Sequence, residues 1–86
     1  MQSITFSPRW REELVAQSEQ GILIFEITMG TLHVYFPDEE RWKKQVPSWA
    51  LNMWADYKEA CEKWCTENRI PISITNDAYV TSEKPA

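Results

Sequence analysis

The segment GILIFEITMGTLHVYFP, residues 21–37, constrains the fold more than any other part of the chain. Two runs rich in β-branched and aromatic residues flank Met29-Gly30, so the segment reads as an antiparallel hairpin with a two-residue turn. In that register Ile27 faces Leu32, Glu26 faces His33, Phe25 faces Val34, Ile24 faces Tyr35 and Leu23 faces Phe36. Strand side chains alternate, so the pairs divide between two faces. One face is wholly apolar: Leu23, Phe25, Ile27, Leu32, Val34 and Phe36. The other mixes Ile24, Glu26, Thr28, Thr31, His33 and Tyr35. A slip of one residue would destroy this sorting.

The flanking segments supply helices and further strands. SITFS alternates Ile4 and Phe6 against Thr5 and predicts a short first strand. In SPRWREELVAQSEQG, Ser7 suits a helix cap and Pro8 a first helical position. Trp10, Leu14 and Val15 then give a narrow apolar side, and Gly21 a stop, which predicts a first helix. In YFPDEERWKKQV, Asp38 is the expected cap. Glu39 and Glu40 occupy the first turn and Lys43 and Lys44 the last, in keeping with the helix dipole. Glu39–Lys43 and Glu40–Lys44 are spaced as i,i+4 pairs. The charge pattern is thus that of a short self-stabilising helix, with Trp42 and Val46 on another side. Pro47 breaks the chain. PSWALNMWADYKEACEKWCTEN restarts as the main helix, with apolar residues at helical spacing and Asn68 as its cap. RIPISIT predicts an edge strand because Pro71 limits its pairing, and NDAYV a turn leading to a short strand.

The resulting order, β-α-β-β-α-β, is that of a two-layer α+β sandwich of the ferredoxin-like kind, with an antiparallel sheet covered by helices on one face. A ββαβ sheet with a helical N-terminal arm is the alternative if the first strand fails. The 86 residues suit one domain, expected over residues 1–80, with the polar stretch 81–86 as a disordered tail. A domain this small needs a dense core, and five Trp, three Tyr and three Phe supply one. No apolar run approaches a membrane span, and MQSITFSPRW lacks the pattern of a secretory signal. Cys61 and Cys65, four apart in a helix, read as buried free thiols rather than a disulfide. These features together point to a cytoplasmic protein.

The net charge of −4 argues against a nucleic-acid partner, whose phosphates call for concentrated Lys and Arg. Arg9, Arg11, Arg41, Lys43 and Lys44 stand near Trp10 and Trp42, but neighbouring glutamates at i,i+4 neutralise several of them. His33 with Cys61 and Cys65 does not make the four-ligand, short-loop pattern of structural zinc, so neither a metal nor a cofactor is expected. No nucleophile elbow or glycine-rich phosphate loop is present. What remains is the mixed sheet face. Glu26 beside His33, with Tyr35 and Ile24, and with Thr5, Ser73 and Thr75 on the same side, suits a contact surface for a protein partner or a second copy of the chain. Trp42 and Trp49 nominate a second surface. The expected function is a non-catalytic interaction module. The alternative is a small-ligand binder or minimal enzyme using Glu26, His33 and Tyr35.

Overall fold

The computed structural model describes residues 3–9 and 12–83. Its elements are β1 (Thr5–Arg9), β2 (Glu13–Ser18), β3 (Gly21–Thr28), β4 (His33–Pro37), α1 (Glu39–Gln45), a 3₁₀ turn (Ser48–Ala50), α2 (Trp54–Glu67), β5 (Ile72–Thr75) and β6 (Val80–Glu83). The molecule is an α+β domain with a mixed, six-stranded sheet in the order β1-β2-β3-β4-β5. Strand β6 joins β3 on the edge that β4 also uses: β4 pairs with Glu26–Thr28, and β6 with Ile22–Phe25. The β4–β5 pair is parallel.

The predicted β-α-β-β-α-β order is not the one observed, because residues 13–18 form a strand where a helix was expected. Leu14 and Ala16 are fully buried, while Val15 is half-buried and Gln17 exposed. This is the period of a strand with one face in the core. Strand β3 is buried at its centre, so its backbone groups need partners along both edges; β2 supplies one from Glu13↔Glu26 to Ser18↔Gly21. Tertiary pairing here outweighs the local helix signals. Pro8 pairs with Leu14 in edge strand β1, where a missing N–H is tolerated. Trp10 and Arg11 lie outside the described residues. The ββαβ alternative matches β3, β4, α2 and β5, but its arm is a hairpin rather than a helix.

The central hairpin forms with a register two residues away from the expected one. Thr28 pairs with His33, Ile27 with Val34 and Glu26 with Tyr35. A four-residue loop, Met29–Leu32, replaces the two-residue turn, and the Thr28 hydroxyl closes it by donating to the Thr31 carbonyl at 2.6 Å. An even shift preserves the faces. Leu23, Phe25, Ile27, Val34 and Phe36 therefore all enter the core as expected, and only Leu32 is left outside, 41% exposed.

Both helices cover that apolar face. Phe25 stacks on Phe36 and Trp42 with centroids at 4.9 and 6.0 Å, and Tyr57 lies tilted at 6.4 Å. Buried polar atoms are paired: Trp42 Nε1 donates to the Ala50 carbonyl at 2.8 Å, and the Tyr57 hydroxyl to Ser18 Oγ at 3.0 Å. The expected start of the main helix at Pro47 moves to Trp54. A continuous helix would give the Ala50 carbonyl to the amide four residues on; here it accepts from the Met53 amide at 3.0 Å and from Trp42 Nε1. Helix α2 ends at Asn68 with paired bonds from the Arg69 amide to the Thr66 carbonyl and from the Ile70 amide to the Cys65 carbonyl. Asp38 caps α1 through the Arg41 amide. Cys61 and Cys65 are free and buried. Residues 81–83, assigned to a disordered tail by sequence, belong to β6; residues 84–86 lie outside the described part. No helix among the described residues is long and apolar enough to cross a membrane.

Candidate binding face

The face opposite the helices is built row by row from the strand registers. Arg9, Glu13, Glu26, Tyr35 and Ser73 form one row across five strands. Ser7, Val15, Ile24 and Thr81 form the next but one along β3. On a flat sheet Arg9 and Glu83 would stand roughly 20 Å apart, three strand spacings across and four residues along. They instead meet in a bidentate pair at 2.9 and 2.8 Å. Sheet twist folds this diagonal toward the open side. Arg9 Nε also donates to Glu13 at 2.9 Å, so the expected Arg9–Glu13 pair exists, but across a hairpin rather than along a helix. The Arg9 guanidinium holds the Glu83 carboxyl below its usual range.

This folding covers part of the face. Ile24, nominated as a contact residue, is only 3% exposed. The Tyr79 hydroxyl donates to the Glu12 carbonyl at 3.2 Å. Its phenol is pushed above the ordinary value by burial, then by Glu13, Glu26 and Glu12. Those neighbours place the ring over the open side.

The accessible remainder is a recess of about 320 Å³ lined by Glu26, Tyr35, Thr75 and Asp77. It lies where β3 changes partner, since Phe25 pairs with Val80 of β6 and Glu26 with Tyr35 of β4. His33 stacks on Tyr35 at 4.5 Å beside it. The imidazole Nε2 is 2.7 Å from Ser73 Oγ. Thr75 Oγ1 donates to Asp77 Oδ1 at 2.6 Å and accepts from the Asp77 and Ala78 amides, which fixes the rim. Glu26 takes part in none of the ion pairs formed among the described residues. Two carboxylates beside an aromatic ring favour a cationic group.

The structure thus brings Glu26, Tyr35 and His33 onto one half-buried surface, with Ser73 and Thr75 as expected beside them. The pairing differs in detail: Glu26 faces Tyr35, and His33 faces Thr28. The Trp42–Trp49 surface does not form. Trp42 is fully buried in the aromatic core, and Trp49 lies half-buried against Gly21, where an added Cβ would sit 2.7 Å from its Cζ2. His33 and the two cysteines lie on opposite sides of the sheet, so they do not converge on one site. Sequence reasoning missed Asp77, Tyr79 and Glu83, and set Arg9 with Glu13 on a helix rather than on this face. Asp77 and Tyr79 were read only as turn and strand, and nothing local marks Arg9 and Glu83 as partners 74 residues apart.

No protein-family model, curated protein or solved structure matches the chain.

Proposed function

We propose that this protein is a non-catalytic interaction module that binds a partner protein through the open sheet face and seats a basic side chain of that partner in the recess. The observation that carries this reading is the lining itself: Glu26 and Asp77 beside Tyr35, with the His33–Tyr35 stack as an adjoining aromatic shelf. A Lys or Arg entering there meets both negative charge and a ring face. The module acts by occupancy, as inhibitory and regulatory subunits do. Its setting in this reading is the cytoplasm, where two unpaired thiols persist.

The test is affinity capture from the native cell, comparing the wild type with Glu26→Lys and with the double variant His33→Ala, Tyr35→Ala. Protein retained by the wild type and lost by both variants, with circular dichroism unchanged, is the expected result. An identical set of captured proteins for all three would overturn the assignment. If the partner is a second copy, sedimentation will show a dimer that Glu26→Lys dissociates.

One observation favours a second reading, in which the face serves a small ligand or minimal enzyme. His33 Nε2 stands within hydrogen-bond reach of Ser73 Oγ, the relation between a base and the hydroxyl it activates. A serine-reactive fluorophosphonate separates the two: labelling of Ser73 that His33→Ala abolishes would support catalysis.

A further inference from the structure

A second surface lies on the other side of the molecule, where β1 borders α2. A groove of about 680 Å³ runs between them. Ile4, Phe6, Ala60 and Trp64 contribute its apolar part. Asp56, Glu59 and Glu67 stand against one base, Lys63, among its lining residues. These four charged side chains come from exposed positions on one side of α2, spaced at helical intervals.

Among the described residues strand β1 pairs only with β2, so its other edge carries unused backbone groups. Pro8 settles which ones. Having no N–H, Pro8 fits the ladder without loss only at a position that does not bond to β2. Phe6, two residues back, then turns its N–H and C=O to the free edge, as does Ile4 if the extended course continues. Pro8 itself ends the template on one side. The edge is therefore short, directional and bordered by the groove.

We propose that β1 and this groove accept an extended segment of a partner protein, added as one more strand beside Ile4–Phe6, with an apolar side chain on Phe6 and Trp64 and basic neighbours facing Asp56, Glu59 and Glu67. Backbone bonding supplies the docking, and alternate side chains supply the selection. The choice of a basic segment follows from charge complementarity: among the described residues, three acids to one base line the groove. This surface is distinct from the recess at Glu26, so the two readings fail separately.

The probe is the synthetic peptide Lys-Val-Lys-Val-Lys, titrated into ¹⁵N-labelled full-length protein to about 1 mM, the weak end of measurable affinity. Shifts of the Ile4–Ser7 amides and the Trp64 indole are expected. Ala60→Arg, which fills the groove, and Glu59→Lys, which reverses its charge, should each weaken binding at least tenfold, on the order expected for a lost charge-assisted contact. Tyr35→Ala should leave it unchanged. Glu-Val-Glu-Val-Glu should produce no shifts. The proposal is overturned if the groove signals stay still, if the acidic peptide binds equally, or if Tyr35→Ala rather than Ala60→Arg removes the response. A dimer that Ala60→Arg dissociates would assign the edge to a second copy and overturn it as well.

Discussion

Among the described residues Glu12, Gly21 and Arg69 hold backbone angles that most side chains avoid, and the last two predict opposite responses to mutation. Arg69 has φ 58° at the left-handed position that follows the α2 cap, where glycine is the usual occupant. Gly21 has φ 156° and lies under the Trp49 indole. Arg69→Gly relieves the αL cost, which is of order 1–2 kcal/mol per L-residue, against the extra backbone entropy that glycine gives the unfolded chain. A net gain of about 0.5 kcal/mol is expected. Gly21→Ala places a methyl against a half-buried indole ring packed on the core and should cost about 1–3 kcal/mol. Urea unfolding of the two variants reads both signs directly. At this scale, too, the Cys61 thiol is pushed up by its neighbour Cys65 and by burial, so its reactive thiolate is suppressed.

At the scale of elements, the decisive comparison is β2. The segment can be read as a helix by its caps and as a strand by its burial, and a pair of substitutions separates the two. Leu14→Ala should cost about 2–5 kcal/mol because Leu14 is enclosed by the core. Gln17→Ala should stay within about 0.5 kcal/mol because Gln17 faces water. A helix spanning both would not confine the burial to alternate residues. The contrast also explains what was legible beforehand. In β3 and β4 the two-residue period runs long enough to assign both faces, and an even error in register left that assignment intact. In β2 only Leu14 and Ala16 mark the core face, too few to outweigh Ser7, Pro8 and Gly21. The charges of α1 identified a helix because its cap and dipole act locally. The recess was half visible: Glu26, His33, Tyr35, Ser73 and Thr75 follow from alternation. Arg9, Tyr79 and Glu83 enter through sheet twist and a last strand whose partner lies more than 50 residues away, and no local pattern encodes either.

For the molecule as a whole, alkaline pH is the most informative stress. Tyr57 is raised above its ordinary value of 10.0 by burial, partly offset by its bond to Ser18, and Tyr79 is raised by burial and nearby acids. Below that ordinary value both forms of the chain keep these protons, and the stabilising contribution is complete. As pH rises past it the unfolded chain releases them first, so stability falls until the raised folded values are passed. The urea midpoint should therefore decline as pH rises past 10.0, and Tyr79→Phe should make that decline shallower. The final strand carries one more consequence. Because β6 occupies the Ile22–Phe25 half of an edge that β4 leaves vacant, a chain cut before Val80 keeps a ready socket in its central strand. Supplied as a free peptide, the severed piece is expected to click back into place, making this small domain a natural two-part reporter.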